Sequence, residues 1–292
     1  MTRPTLSLLL LATSPITALP PWSWDTVQTY VHCANRTGSL WNEQAVAAFA
    51  NQSFVVFEKN HGIWADPVNT SAEDKIVAAC RQVKAANKST DCYIYTETDW
   101  ARTWYTAGHD FDAHPSWELH AADGWLINTT DVQKPPAPIN GTDAFSYQFN
   151  AYDFGVADAR SRWVRRVTDA VASGVVDGAF IDGNRGGWGS GILGPATPAA
   201  QAAWRAGLNA SHRALATALG PTATLISNYA TPEALAVCSG GMMERGGSGL
   251  NDIRQLQALG SRSCGLYGQP CLVDYHAQYA STRPSRWLCP SL

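Results

Sequence analysis

Residues 158–182 read DARSRWVRRVTDAVASGVVDGAFID. The stretch Asp158–Ser173 places Trp163, Val164, Val167, Ala170 and Val171 on one stripe at helical spacing, and Gly174 follows as a stop. Gly178–Asp182 is then apolar without alternation until it ends on a carboxylate. A short continuous apolar run of this kind is a strand buried on both faces, as in a parallel sheet. The unit is a helix followed by a strand, and it recurs along the chain.

Upstream, the apolar runs are Tyr30–Ala34, Phe54–Glu58, Cys92–Glu97 and Trp117–His120; downstream they are Thr224–Asn228, Gly241–Glu244 and Cys271–His276. Helical stretches lie between them. Asn42–Ala50 is one, and a second opens at Ser71 and runs to about Asn87 with Ile76, Val77, Cys80 and Val83 on one face. A third starts at Thr197-Pro198, with Thr as cap and Pro in the first position, and stops at Gly220-Pro221. Shorter helices are expected from Thr231-Pro232-Glu233 and over Asn251–Leu259. With Gly178–Asp182 the strands number eight, and eight strand-helix units predict a single α/β domain, a (β/α)8 TIM barrel over residues 19–292. A doubly wound open sheet is the alternative, but no G-x-G-x-x-G follows the first strand. Residues 101–150 are long for one connection; a hairpin over Trp117–Ile127, turning at Asp123-Gly124, and a Pro-rich loop at Lys134–Pro138 are expected there. Sixteen residues follow His276, so the final helix is expected to be atypical or truncated.

Composition narrows the function. Charged residues are 15% and hydrophobic residues 45% of the 292, enough for a sizeable core, and the net charge of −3 offers no basic surplus for a nucleic-acid partner. Met1–Ala18 reads as a secretory signal peptide, with Arg3, the apolar core Leu6–Ala12 and Ile16-Thr17-Ala18 before the cut; no later run is long enough for a membrane span. The N-x-[ST] sequons at Asn35, Asn51, Asn69, Asn87, Asn128, Asn140 and Asn209 agree with a secreted glycoprotein. Seven cysteines (Cys33, Cys80, Cys92, Cys238, Cys264, Cys271 and Cys289) suit structural disulfides in an oxidising compartment, with Cys80–Cys92 and Cys264–Cys271 as local candidates and an odd thiol left over.

Barrel active sites lie where the strands end. The strand ends supply His32, Glu58-Lys59, Glu97 with Asp99, Asp182, Asn228, Glu244 and Asp274-Tyr275-His276. A carboxylate directly after a buried run is costly without a task or a partner, and Lys59, Arg185 or Arg245 could be such partners. Trp64, Trp100, Trp104 and Trp188 also follow strand ends, where flat faces can stack on sugar rings; Trp24, Trp163 and Trp204 are expected in the core. Paired carboxylates can cut an acetal, one protonating the leaving oxygen and the other attacking or activating water. There is no G-x-S-x-G elbow and no Walker A lysine; the Gly-rich segment Gly186–Gly194 reads as a flexible loop beside the substrate groove. His109-Asp-Phe-Asp-Ala-His114 matches no metal-ligand spacing well and reads as a polar loop, with a metal site at His109, Asp112 and His114 as a third reading.

Gly174-Val-Val-Asp-Gly-Ala-Phe-Ile-Asp182 resembles the G-[VF]-D-G-[VF]-F-[IL]-D strand of TIM-barrel glycoside hydrolases, especially the endo-α-1,4-polygalactosaminidase family and its relatives. His114-Pro-Ser-Trp-Glu-Leu-His-Ala-Ala-Asp-Gly124 resembles their H-P-x-W-x-L-x-x-x-D-G hairpin. The resemblance spans Trp117 to Arg245; Tyr30–Asn35 and Phe57–Lys59 depart from it. It implies Asp182 and Glu244 as the catalytic pair, a carbohydrate substrate and no cofactor. His32, Glu58, Glu97, Asp99, Asn228, Tyr275, Trp64, Trp100 and Trp188 are the expected substrate-binding groups. A catalytically inactive glycan-binding barrel is the alternative. Sugar, linkage and oligomeric state are left open.

Overall fold

The computed structural model describes residues 29–62, 71–98, 101–102, 110–127, 130–133, 145–183, 192–194, 197–228, 234 and 236–242. Its centre is a parallel sheet. In chain order the strands and helices begin β1 (Tyr30–Cys33), α1 (Glu43–Ala50), β2 (Phe54–Phe57), α2 (Ala72–Ala86) and β3 (Asp91–Glu97). After an excursion come α4 (Ala157–Ala172), β8 (Gly178–Asp182), α5 (Pro198–Leu219), β10 (Thr224–Asn228) and β11 (Gly240–Met242). Six strands bond in the order β1-β2-β3-β8-β10-β11, which follows the chain without reversal.

The helices start where the sequence places caps. Asn42 accepts the Ala45 N–H at 2.8 Å, Ser71 the Asp74 N–H at 3.1 Å, and Thr197 the Ala200 N–H at 3.1 Å ahead of Pro198. Each satisfies an amide that the first helical turn leaves without a partner. The helices pack on one face of the sheet. That face carries Val55, Phe57, Cys92, Ile94, Ala179, Ile181 and Leu225, which join Ile76, Val83, Trp163, Val167, Trp204 and Leu215 of the helices in one core. Trp163 and Trp204 are thus core residues, as expected. The other face carries a second apolar cluster of Phe54, Val56, Tyr93, Tyr95, Phe180 and Ile226, with Tyr30 against it. Monotonic strand order with helices on one face is the arrangement of half a barrel; a doubly wound sheet puts helices on both.

Two glycines permit the close approaches. A Cβ on Gly178 would lie 1.8 Å from the Thr224 carbonyl oxygen of the neighbouring strand, and one on Gly207 of α5 would lie 1.7 Å from the Phe154 carbonyl oxygen. A disulfide joins Cys80 of α2 to Cys92 of β3, with Cα atoms 5.7 Å apart. Behind the sheet, Arg166 of α4 lies 3.3 Å from Glu73 of α2 and donates to Thr96 of β3, tying three elements through a buried charge pair.

The expected fourth strand is corrected. β3 bonds directly to β8, Tyr93 opposite Gly178 and Glu97 opposite Asp182, so no strand lies between them. Trp117–His120 forms no part of the parallel sheet. Pro115, with its fixed φ and missing N–H, opens a 3-10 turn over Pro115–Trp117, and a second covers Ala121–Asp123. Glu118 makes an isolated antiparallel bridge to Tyr152, Leu119 is buried in the core and Trp117 packs against it. The expected Trp117–Ile127 hairpin is therefore absent, although Gly124 does turn the chain with φ +85°. The excursion holds β4 (Ala101–Arg102), the short α3 (Asp110–Ala113), β5 (Leu126–Ile127), β6 (Thr130–Gln133) and β7 (Phe145–Asn150). β4, β7 and β6 form an antiparallel sheet in that order. β5 pairs with β9 (Ile192–Gly194), so the end of the expected glycine loop is a short strand. The segments 1–28 and 243–292, with the signal peptide, the Asn251–Leu259 helix, the Cys271–His276 strand and Cys264–Cys271, lie outside the described residues, as does the Pro-rich loop 134–138.

Candidate active site at the strand ends

Alternation along each strand decides which side chains reach the face opposite the helices. In β1 these are Tyr30 and His32; in β2 Phe54 and Val56, with Glu58 next in phase. In β3 they are Tyr93, Tyr95 and Glu97, in β8 Phe180 and Asp182, and in β10 Ile226 and Asn228. The early positions of this set are aromatic or aliphatic and the last ones polar or charged. The result is an apolar floor with a polar rim at the C-terminal edge. Tyr30 stacks on Phe54 at 4.8 Å and Tyr95 on Phe180 at 5.6 Å, while His32 meets the Phe180 ring edge-on at 4.9 Å.

Asp182 is held on this rim from several sides. Its Oδ1 accepts from Asn228 Nδ2 and from the Gly183 N–H, both at 2.8 Å, and its Oδ2 accepts from the Tyr95 hydroxyl. Its backbone carbonyl accepts from the amide and the hydroxyl of Thr98, each at 3.0 Å. The Tyr95 oxygen in turn accepts from Lys59 Nζ at 2.9 Å. Lys59 lies 3.3 Å from Glu58 Oε2 and 3.6 Å from Glu97 Oε1, and 4.4 Å above the Tyr95 ring. Glu58 Oε1 is 3.1 Å from His32 Nε2. One polar chain therefore runs from β1 to β10: His32, Glu58, Lys59, Tyr95 with Glu97, Asp182, Asn228.

The charges on this chain differ in what they can do. Burial acts to raise the Glu58 pKa, but Lys59 and His32 together outweigh it and hold the carboxyl far below its ordinary range. Glu58 is therefore an anion that positions and balances charge, and it has no proton to give near neutral pH. Glu97 is buried, and its backbone carbonyl accepts from Trp163 Nε1 at 2.9 Å from behind the sheet.

The loops beneath the rim are fixed by His61. Its Nδ1 accepts the Asn35 N–H at 3.1 Å, so Nε2, 3.0 Å from the Ser39 carbonyl oxygen, carries the proton. Burial, with Lys75 nearby and against the pull of the Ser39 carbonyl, lowers its pKa to about 4, so it is neutral at pH 7. Lys75 donates to the Gly62 carbonyl at 2.8 Å. The segments after β1 and β2, which carry the ends of His32 and Glu58, are thereby held together.

Of the expected site residues, His32, Glu58, Glu97, Asp182 and Asn228 lie along this polar chain. Glu244, Asp99, Tyr275, Trp64, Trp100 and Trp188 lie outside the described residues. The strand-end pattern does not single out Tyr95, and it offers Lys59 only as a counter-ion. The signal for Tyr95 was present: two residues before Glu97, it shares that residue's face. His114 stacks on Trp117 at 3.9 Å, and among the described residues no three His, Cys, Asp or Glu side chains group as a metal site; His109 lies outside them.

No family model matches this sequence, and no curated protein matches it either. Several solved structures do. The GH36 α-galactosidase AgaA from Geobacillus stearothermophilus matches at 15% identity and TM-score 0.43, over 69% of this chain and 27% of that one. A cycloisomaltooligosaccharide glucanotransferase from Paenibacillus sp. matches at 13% identity and TM-score 0.48, over 85% of this chain and 38% of that one. The maltogenic α-amylase AmyB from Thermotoga neapolitana matches at 11% identity and TM-score 0.44, over 74% and 49%. The chain spans less than half the length of each. The neighbours named here are carbohydrate-active enzymes; at these scores they describe their own chemistry and leave that of this chain to its residues.

Proposed function

We propose that the protein hydrolyses O-glycosidic bonds with two carboxyl groups. Asp182 is the nucleophile or the base, and Glu244 the general acid. The observation that carries this reading is the convergence on Asp182 of three donors, Tyr95, Asn228 and the Gly183 amide, at the C-terminal edge of a parallel sheet. A carboxylate so held is oriented as an acceptor and an attacking group. His32, Glu58, Lys59 and Glu97 beside it offer the donors and acceptors that sugar hydroxyls need. Separation between the two carboxyl groups decides stereochemistry: about 5–5.5 Å retains configuration and about 6.5–9.5 Å inverts it.

With this reading go closure of the barrel by the Cys271–His276 run, export through Met1–Ala18, and sugar stacking on Trp64, Trp100 and Trp188. The buried Cys80–Cys92 disulfide is consistent with an oxidising compartment. Among the sequons, Asn51 is exposed and suited to carry a glycan, whereas Asn35 and Asn87 donate their side-chain amides to Leu40 and Ala50 carbonyls.

The test is a panel of oligo- and polysaccharides, galactosamine polymers included, offered to the wild type, Asp182→Asn and Glu244→Gln. Cleavage by the wild type that both folded variants lose supports the pair. Cleavage surviving both changes removes the assignment, and binding without cleavage in all three proteins marks a glycan-binding barrel.

A further inference from the structure

We infer that Lys59 and Tyr95 are positioning residues for Asp182, with Lys59 orienting the Tyr95 hydroxyl so that its proton is committed to Asp182 Oδ2. The inference rests on the reading of Asp182 as the attacking or base carboxylate. It assigns work to two residues that neither touch the bond to be cut nor serve the packing of the core alone.

The direction of each hydrogen bond is forced by chemistry. An ammonium has three N–H donors and no lone pair, an ionised carboxylate only accepts, and a phenol has one proton and lone pairs to spare. Lys59 Nζ is 2.9 Å from the Tyr95 oxygen, so Lys59 donates and the oxygen accepts. The one phenolic proton is then left for Asp182. Lys59 is itself fixed by Tyr95, Glu58 Oε2 at 3.3 Å and Glu97 Oε1 at 3.6 Å. The Tyr95 ring is 2% exposed and stacks on Phe180, so the hydroxyl cannot swing away. A cation donating into a phenol strengthens the bond that the phenol gives, because chained hydrogen bonds polarise one another in a low-dielectric site. Lys59 follows β2, Tyr95 lies in β3 and Asp182 ends β8, so three neighbouring strands each supply one member.

For the reaction, the relay matters because the charge on Asp182 changes. When one of its oxygens bonds to the anomeric carbon, the glycosidic C–O bond breaks and the acid gives its proton to the leaving oxygen. The carboxylate's negative charge falls, and when the intermediate is hydrolysed it returns. A base role has the same consequence, since Asp182 takes a proton from water. In both cases the Tyr95 donor tunes how readily Asp182 attacks and departs, with little effect on ground-state sugar binding.

The experiment uses the full chain with Tyr95→Phe, Lys59→Met, Lys59→Arg and Asp182→Asn, each checked for native near-ultraviolet circular dichroism. Tyr95→Phe keeps the ring, its stacking and the cation over its face, and removes only the hydroxyl. On the glycan that the wild type cleaves, Tyr95→Phe should lower kcat about 10- to 100-fold and leave KM within about two-fold. The acid limb of kcat/KM should move up by about one pH unit. Lys59→Met should move both in the same direction, and Lys59→Arg should recover part of that loss. A second readout needs no substrate: the carboxyl carbon of Asp182, followed by carbon-13 NMR against pH and assigned with Asp182→Asn. Its titration should move upward in Tyr95→Phe, because a carboxylate that loses a donor holds its proton more tightly. An unmoved titration in both Tyr95→Phe and Lys59→Met overturns the inference. So does an unmoved acid limb with kcat preserved. If the titration moves but the wild type cleaves no glycan, the coupling stands and the glycosidase reading falls. Should Tyr95→Phe not fold, the Lys59 pair decides by the same measures.

Discussion

Lowering the pH should destabilise the protein through two buried histidines, and His212→Leu should remove half of the effect. His212 of α5 is 3% exposed and sits against Trp163, with ring centroids 5.8 Å apart. Neither ring nitrogen has a hydrogen-bond partner among the described residues. Burial, with the charge of Arg213 beside it, lowers its pKa from 6.5 to about 4. His61 is lowered to about 4 as well. For each residue the unfolded chain binds a proton in the window between those values that the native state refuses. Stability therefore rises with pH across the window, and is lost as pH falls from 6.5 toward 4. One such group gives a slope of up to about 1.4 kcal/mol per pH unit, or about 3 kcal/mol over the window. The wild type, with two, should approach about 2.7 kcal/mol per unit, and His212→Leu about 1.4. Glu58 adds a further loss at lower pH: its carboxyl is held down by Lys59 and His32, so its contribution is complete above its ordinary value and fades as pH falls below it. The assay is urea unfolding followed by tryptophan fluorescence at half-unit steps from pH 4.5 to 7.5. At pH 7.5 the variant should be no less stable, since it replaces an unpartnered polar ring by an apolar side chain. Equal slopes in the two proteins would mean that His212 is not the group taking up the proton.

Three further outcomes follow from packing and cross-links. Gly207→Ala should lower stability by about 3 kcal/mol or more by urea titration, because its Cβ would meet the Phe154 carbonyl oxygen, which is backbone and cannot rotate away. Cys80→Ser with Cys92→Ser should cost about 3 kcal/mol, the expected loss for opening a loop of this length, seen as a lower unfolding midpoint without reductant and no change with it. Glu73→Leu should cost about 3–5 kcal/mol by leaving the Arg166 charge buried, and adding Arg166→Met should recover most of it in a double-mutant cycle.

Much of this architecture was legible before any coordinates. The strands β1, β2, β3, β8 and β10 stand out as continuous apolar runs, and α2 and α5 begin at the Ser71 and Thr197 caps that the sequence displays. Strand ends point to His32, Glu58, Glu97, Asp182 and Asn228, and one rim collects all five because parallel strands in sequential order end on the same edge. Trp117–His120 misled for a physical reason. The four residues alternate apolar and polar as a half-buried strand does, but the run is short, and Pro115 just before it sets a turn that outweighs β-propensity. Tyr95 was hidden by its own surroundings, since a tyrosine inside an apolar strand reads as core until its hydroxyl is seen to reach a partner. Lys59 was hidden because its place depends on Tyr95 and Glu97 of the neighbouring strand β3, and no local pattern encodes that.

In the proposed reaction Asp182 attacks or activates the attacking water, so the decisive quantity is kcat of Asp182→Asn on the best glycan of the wild type. The amide keeps the size and shape of the carboxyl group and removes its charge. The variant should fold, with KM little changed and kcat lower by at least about 100-fold. A folded Asp182→Asn variant turning over within a few-fold of the wild type would contradict that role.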